Sequence, residues 1–377
     1  QHSIILMVGA VVVVFLHNIP YKWFQVFPVF LLPLSVVLLA LVMMMERING
    51  AARWMTFMGV QFQPSEVAKM AVIIVTAFIL SKGQDEDGAS PKAFKRIMII
   101  TGVICLLIAP ENLSTAALLF GVVYLMMFIG RVAMKKLLIL AGGLAGVAII
   151  GVTFLVLTKN SDLPFLHRFD TWRARIEKFT NDNEVPAAKF DIDKDAQIAH
   201  ARIAVATSHV VGKGPGNSVQ RDFLSQAFSD FIFAIIIEEL GLIGGAFVVF
   251  LYVCLLIRVG RIAKKCERTF PAFLIIGIAL LLVSQAIFNM MVAVGLAPVT
   301  GQPLPLISKG GTSTLINCAY IGMILSVSRY TARLEEQKEH DALIPMQVEV
   351  PAEETNSDAQ TAAEPTAKVL NSDAEFE

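Results

Sequence analysis

Charged residues are scarce in this chain: they make up 16% of its 377 residues, whereas hydrophobic residues make up 55%. A soluble domain carries about a quarter charged residues, so this composition indicates an integral membrane protein. The formal net charge is zero, and without a basic excess no nucleic-acid partner is predicted. The four cysteines show no CxxC spacing, so neither a disulfide framework nor a zinc site is indicated.

Motifs of several soluble enzyme classes are also missing. The sequence contains no Walker loop, no HExxH and no GxSxG, which removes support for nucleotide, zinc-peptidase and serine-hydrolase chemistry. The chain starts at Gln1 and enters an apolar run almost at once, without the charged segment and cleavage site of a signal peptide.

Apolar runs are what the sequence has in abundance. Nine of them are suited to crossing a membrane, and they lie at about 3–18, 26–45, 65–81, 96–109, 114–130, 137–157, 231–257, 271–295 and 312–329. We therefore predict an all-α, polytopic helical membrane protein. The run at 96–109 is short, and it also fits a helix buried within the bundle.

Lysine and arginine are concentrated in alternate connections, which predicts the orientation of the chain in the membrane. The connections near 82–96, 131–136 and 258–268 are rich in these residues and would be cytoplasmic, as would the C-terminus. The connections at about 46–64 and 158–229 would then lie outside. In the longer one, the spacing of Ile198, Ile203, Ala204 and Val211 predicts an amphipathic interfacial helix over 196–211.

The chain loses its apolar character after Tyr330. The segment LEEQKEHD could extend the last helix, but 345–377 is rich in Glu, Asp, Ala, Pro and Thr and cannot bury enough surface to fold alone. We divide the chain into a membrane domain, 1–330, and a disordered, acidic, cytoplasmic tail, 331–377.

Three acidic residues accompany one apolar run: Asp230, Glu238 and Glu239. A charge in hydrocarbon costs about 2.5–3.5 kcal/mol, so each needs protein or water around it. Ser229 and Asp230 form a good helix N-cap signal, but a carboxylate at a wet membrane mouth can also act as a general base. The residues leave both readings open. Glu238 and Glu239 lie ~12 Å or more further along the helix, and we predict supporting roles for them, in pairing or packing.

Two further charged sites are candidates for binding an anionic substrate. Glu66 and Lys69 are three residues apart on one helix face, which predicts an internal ion pair, and Lys69 could also contact an anionic group in a cavity. Arg53, in NGAARW on an outer loop, could grip a phosphate with its guanidinium group. It could equally serve with Trp54 as an interfacial anchor.

Two polar, glycine-rich segments complete the candidate site. The segment PVTGQPLPLISKGGTS contains Ser308, Gly310 and Gly311, and its exposed backbone N–H groups suit an anion nest. The segment GKGPGNSVQ supplies another four substrate-binding candidates: Lys213, Asn217, Ser218 and Gln220. For both segments, a turn held only for packing is the alternative.

Four blocks of this sequence resemble signature blocks of the SEDS family, the polytopic peptidoglycan polymerases of bacteria. They are NGAARWMTFMGVQFQPSEVAK, GKGPGNSVQ, SDFIFAIIIEELGLIGG and APVTGQPLPLISKGGTS, in family order across about residues 1–330. The GNSVQ variant is more similar to the division-type branch than to the elongation-type branch. Family members have ten membrane helices, so we expect that this chain starts at the second. One departure is that LSQAFSD stands where LPEAHTD is common, which puts the roles of that Glu and His in doubt.

The resemblance implies a function as well as a fold. It places the family's essential carboxylate at Asp230 and implies polymerisation of lipid II on the outer side of the bacterial plasma (inner) membrane, at the division septum. Implied partners are lipid II, a class B penicillin-binding transpeptidase and other septal membrane proteins. No cofactor is established, although nearby cations or a divalent ion, Mg²⁺ or Mn²⁺, could stabilise the pyrophosphate. A lipid II flippase and a scaffold that only recruits a transpeptidase stay open as alternatives.

Overall fold

A computed structural model of the protein describes residues 2–44, 55–57, 60–85, 88–157, 194–224 and 227–348. Within these residues there are ten α-helices, together with short 3₁₀ turns at Tyr21–Gln25 and Gln220–Phe223. The helices are α1 (His2–Asn18), α2 (Phe27–Met43), α3 (Pro64–Lys82), α4 (Pro91–Ile108), α5 (Leu113–Ile129), α6 (Met134–Leu157), α7 (Lys194–Ala206), α8 (Ile232–Lys265), α9 (Thr269–Ala293) and α10 (Gly311–Val348).

Each of the nine predicted apolar runs forms a helix. By length and composition, α3, α6, α8, α9 and α10 could each cross a membrane, and α1, α2 and α5 are shorter apolar helices. Helix α4 begins earlier than predicted, at Pro91, because the Ser90 side chain caps it by accepting a hydrogen bond from Ala93 N at 3.3 Å. Two small antiparallel hairpins were not predicted: β1 (Met55–Phe57) with β2 (Val60–Phe62), and β3 (Gln84–Asp85) with β4 (Gly88–Ala89).

Helix α3 occupies the centre of the bundle. Of its membrane-spanning window 72% is buried, against 6% for α6, so α3 is surrounded by protein whereas α6 is peripheral. Helices α2 and α9 pack on it, and α5 packs on α9. Its apolar side chains, such as Ile73, Ile74 and Leu80, belong to the main core. A second core joins α7, the start of α8 and the end of α9, around Phe231.

Helix α8 is broken at Gly241, where φ is 71° and ψ is −172°. A side chain at this position would collide with the carbonyl oxygen of Val210, and one at Gly212 would collide with backbone atoms of Glu239 and Gly241. Only glycine permits this close approach at a positive φ. The break leaves backbone N–H groups without helical partners, and the segment before α8 supplies acceptors for them. Leu242 N donates to His209 O, and Ile243 N donates to Val210 O, both at 3.3 Å.

Two predicted segments need correction. The amphipathic helix ends at Ala206, not at 211, so that Val211 lies beyond it and is 73% exposed. Its buried face carries Ala201 and Ala204 rather than Ile203, which is 43% exposed. Disorder from 331 onwards is also wrong for part of the tail, because α10 continues through Val348. Most residues of the stretch LEEQKEHDA at 334–342 are good helix formers, namely Leu, Glu, Gln, Lys and Ala.

The chain divides into two compact units, Gln1–Arg333 and Leu334–Glu377. The first contains all of the predicted site residues. Within the second, the described residues are those of the end of α10. The remainder of the predicted tail, 349–377, lies outside the described residues.

Candidate functional site

Asp230 lies two residues before the first residue of α8, Ile232, and is partly exposed. The N-cap position of α8 is Phe231, which makes no side-chain capping bond, so of the two open readings the one in which Ser229 and Asp230 form the cap is wrong. Instead, the Ser229 hydroxyl donates to Asp230 Oδ1 at 3.0 Å. The carboxylate of this partly exposed residue therefore accepts a hydrogen bond from its neighbour just before a membrane helix.

The segment between α9 and α10 holds the backbone just before Asp230. Ser308 Oγ donates to Ser229 O at 2.6 Å, and Lys309 N donates to Phe228 O at 2.8 Å. From α9, Asn289 Nδ2 donates to Asp230 O at 2.9 Å and to Gln302 O at 2.8 Å. These bonds fix the main chain at Asp230, and none of them uses its carboxylate.

A chain of buried polar side chains continues from this segment into the bundle. Gln302 Nε2 donates to Thr115 Oγ1 at the start of α5. Gln285, one turn before Asn289 on α9, donates to Pro303 O at 3.0 Å and accepts from Lys69 Nζ at 3.1 Å. The 294–310 segment is thus tied directly to α5 and α9, and through Gln285 to α3, by side chains that are nearly fully buried.

The predicted ion pair between Glu66 and Lys69 is present near the start of α3. Lys69 Nζ lies 2.7 Å from Glu66 Oε1, and their side chains are 0% and 3% exposed. With Gln285 as a third partner, the ammonium group is enclosed by protein. Burial this complete requires compensation of each charge, which the pair supplies.

Glu238 organises the other polar segment. Its fully buried carboxylate accepts from Lys213 Nζ and Ser218 Oγ, each at 2.5 Å, and from the backbone N–H groups of Val219 and Gln220, each at 3.3 Å. Backbone bonds reinforce this contact, since Lys213 N donates to Glu238 O at 3.0 Å. The segment 212–220 is therefore clamped onto the first part of α8, the helix that follows Asp230.

The remaining candidates have different surroundings. Asn217 Nδ2 donates to Lys213 O at 3.1 Å, within the same turn. Gln220 Oε1 contacts His200 Nδ1 at 2.5 Å, and the His200 ring stacks on Phe223 at 5.1 Å. Gly310 O accepts from Thr314 N at 2.9 Å, and Gly311 is the first residue of α10. Arg53 lies outside the described residues.

The structure therefore brings together two groups of candidates. Asp230, Ser308 and the adjoining glycines lie at the junction of α8 with the 294–310 segment. Lys213 and Ser218 both bind the Glu238 carboxylate, an arrangement that we call the Glu238 clamp. The Glu239 side chain makes no hydrogen bond or ion pair with the described residues. In the same part of the chain there is no group of three or more His, Cys, Asp or Glu residues that could hold a metal ion.

Four site residues were not singled out from the sequence: Gln285, Asn289, Gln302 and Lys309. The first two stand four residues apart on one face of an otherwise apolar helix, which is a recognisable signal because polar groups inside a membrane are expensive. Lys309 is exposed, and its side chain has no partner among the described residues. It places an unneutralised cation on the segment that holds Asp230.

Comparison with known proteins agrees with this architecture. The sequence profile described as cell cycle protein, FtsW/RodA/SpoVE, matches residues 1–333. A probable peptidoglycan glycosyltransferase FtsW from Halomonas elongata is 32% identical over 347 residues, covering 89% of this chain and 83% of the relative. One of the same description from Geobacter sp. strain M18 is 34% identical over 282 residues, covering 74% and 72%.

Solved structures share the fold. One, described as showing the structural coordination of polymerization and crosslinking by a peptidoglycan synthase complex, matches with a TM-score of 0.69 and 25% identity, covering 88% of this chain and 89% of the other. The rod shape determining protein RodA of Thermus thermophilus matches with a TM-score of 0.61 and 23% identity, covering 87% and 86%. The predicted polytopic fold and family are confirmed, and this chain belongs to the FtsW/RodA/SpoVE family of multi-pass membrane proteins.

Proposed function

We propose that this protein is a peptidoglycan glycosyltransferase that polymerises lipid II, with Asp230 as the general base. The observation that carries the proposal is the setting of Asp230: a partly exposed carboxylate at a helix start, fixed through its main chain by Asn289 and through Ser229 by Ser308. The names of the relatives from Halomonas and Geobacter support the reaction class.

The reaction that the family resemblance implies fits this arrangement. The 4-hydroxyl oxygen of a lipid II sugar attacks C1 of the growing strand, the C1–oxygen bond to undecaprenyl pyrophosphate breaks, and the hydroxyl proton passes to the Asp230 carboxylate. A base of this kind contributes about 10²–10⁴-fold to the rate. The leaving group is anionic, and a cation beside the base would stabilise it. Lys309 supplies that cation, and the N–H groups around Gly310 and Gly311 suit the same anion.

The finer parts of the proposal concern location and partners. The side carrying Asp230 faces outward if the basic connections are cytoplasmic, and the protein acts at the division septum in the plasma membrane. Its partners are lipid II, a class B penicillin-binding transpeptidase and other septal proteins. The neighbour described as a peptidoglycan synthase complex supports a transpeptidase partner.

Assays with purified components distinguish polymerisation of lipid II from its transport across the membrane. The full-length protein with a class B transpeptidase should convert lipid II into long glycan strands in detergent, where no membrane barrier exists. A parallel assay should follow lipid II translocation in liposomes. Translocation without polymerisation would contradict the proposal and favour a flippase, and neither activity would favour a scaffold.

A further inference from the structure

A cavity of about 360 Å³ lies where the turn after α1 meets α10. This volume falls within the range of small-molecule sites, about 300–1,000 Å³. The chemistry of its lining is one-sided: among the described residues that line it, three are basic, three are aromatic and none is acidic. The basic and aromatic lining residues are Lys22, Arg329, Arg333, Tyr21, Trp23 and Tyr330.

The three cations at this cavity make few bonds to the described residues of the protein. Arg329 is fixed by two bonds to Asn18, from Nη1 to Oδ1 at 3.1 Å and from Nη2 to the backbone O at 2.8 Å. A guanidinium group has five N–H donors, so others remain for a ligand. Lys22 and Arg333 are exposed, and their side chains have no partner among the described residues.

The aromatic wall adds shape without adding negative charge. The rings of Tyr21 and Tyr330 lie 4.5 Å apart. Burial, together with the neighbouring Tyr330, raises the pKa of Tyr21 to about 12, so this side chain stays neutral at physiological pH. The surface that the cavity exposes is mostly apolar although three of its lining residues are cations, so it suits an amphiphilic anion better than a free anion or a cation.

The surface next to the cavity is strongly apolar. Trp23, which lines it, is 62% exposed, and Val29 and Phe30 on the first turns of α2 are 66% and 69% exposed. In a membrane protein such a surface faces acyl chains, and Trp with Lys and Arg marks the level of the headgroups. A free acidic peptide would leave this apolar surface unused, whereas an amphiphile uses both parts.

We propose that this cavity binds the phosphate headgroup of an anionic phospholipid, whose acyl chains lie along the exposed face of α2. Basic pockets between membrane helices bind headgroups of this kind. Lys22 and Arg333 contact the phosphate, while Arg329 holds the end of α1 in place and shapes the site. This lipid site is separate from the residues around Asp230 and does not depend on the proposed catalysis.

Native mass spectrometry of the full-length protein tests the proposal with phosphatidylglycerol and phosphatidylcholine of identical acyl chains. The variant Lys22→Gln/Arg333→Gln should lower the affinity for phosphatidylglycerol about tenfold or more, because each cation near the surface contributes about 1 kcal/mol. Phosphatidylcholine binding should not change. The matched control is Lys92→Gln/Lys95→Gln, which removes two exposed charges at the start of α4 and should retain wild-type affinity. The single variant Lys22→Gln serves if the double variant unfolds.

Three results would overturn the proposal. The first is an equal loss of affinity for phosphatidylglycerol in the double variant and in its matched control, or no loss in either. The cavity would then contribute nothing specific to lipid binding. The second is displacement of the lipid by millimolar inorganic phosphate, which would identify a site for free phosphate. The third is displacement by a synthetic peptide of residues 349–377 that binds wild type but not Lys22→Gln/Arg333→Gln, which would assign the cavity to an acidic protein segment.

Discussion

Buried charges in this protein are neutralised by specific partners, as Glu66 and Lys69 show most simply. Their spacing predicted the pair, because residues three apart share a helix face, and the structure places the charges 2.7 Å apart. The partners of Glu238, by contrast, could not be predicted from the sequence. Lys213 is 25 residues away, on a segment whose path depends on the break in α8.

The Glu66–Lys69 pair should be strongly coupled in stability. Removing either partner alone, as in Glu66→Gln or Lys69→Met, strands a buried charge and should destabilise by about 3–5 kcal/mol. The double variant should lose less than the sum of the two. Unfolding of the purified protein in detergent measures the cycle. Additive losses would show that the two groups do not act as a pair.

The Glu238 clamp makes a second prediction at this scale. Glu238→Gln leaves Lys213 without its counter-charge and turns an amide NH₂ towards backbone donors, so stability should fall by about 2–5 kcal/mol. The matched control is Glu239→Gln, the same change at the next residue, where the side chain is partly exposed. Thermal unfolding should shift clearly in the first variant and little in the second. Equal shifts would contradict the clamp.

At the scale of elements, the apolar runs were sufficient to predict the helices but not their interruptions. The apolar pattern of α8 continues through Gly241, so nothing in its periodicity marks the break. The signal is the pair of glycines, Gly212 and Gly241, and it becomes readable only when the two backbones are seen to meet. The Ser229–Asp230 cap failed for a related reason. The backbone around it is held by α9 and the 294–310 segment, and the helix starts one residue later than the cap signal requires.

The break in α8 predicts a sharp difference between two glycines of the same helix. Gly241→Ala places a Cβ against the Val210 carbonyl at a positive φ, so it should destabilise by several kcal/mol, about 2–4. At Gly260 a Cβ meets no atom within 4 Å, and alanine there should stabilise slightly, by up to about 1 kcal/mol. Unfolding midpoints of both variants would show it. A neutral Gly241→Ala would mean that the helix can run straight.

At the scale of the whole molecule, composition and the apolar runs predicted a polytopic helical protein, and comparison with known proteins confirms this class. The two hairpins were missed because strands of two or three residues are too short to show a period. The extension of the last helix over LEEQKEHD was left open, since a charged helix with Glu, Lys and Ala resembles a disordered tail in composition alone.

Orientation in the membrane gives a prediction for the whole chain. With the four native cysteines replaced, a cysteine at Val211 should react with an impermeant maleimide added outside, and one at Lys92 should react only after permeabilisation. Both positions are exposed, so access depends on sidedness alone. The reverse pattern would place Asp230 on the cytoplasmic side and contradict the proposed function.

The central claim, that Asp230 is the general base, is tested most directly by Asp230→Asn in polymerisation of purified lipid II. Asn keeps the shape and can still accept from Ser229, but it cannot take the hydroxyl proton. Turnover should therefore fall about 10²–10⁴-fold, with thermal stability and lipid II binding unchanged. Asp222→Asn is the matched control, since Asp222 lies eight residues earlier with a side chain that is 76% exposed, and it should polymerise at the wild-type rate. Wild-type polymerisation by a well-folded Asp230→Asn protein would contradict the account.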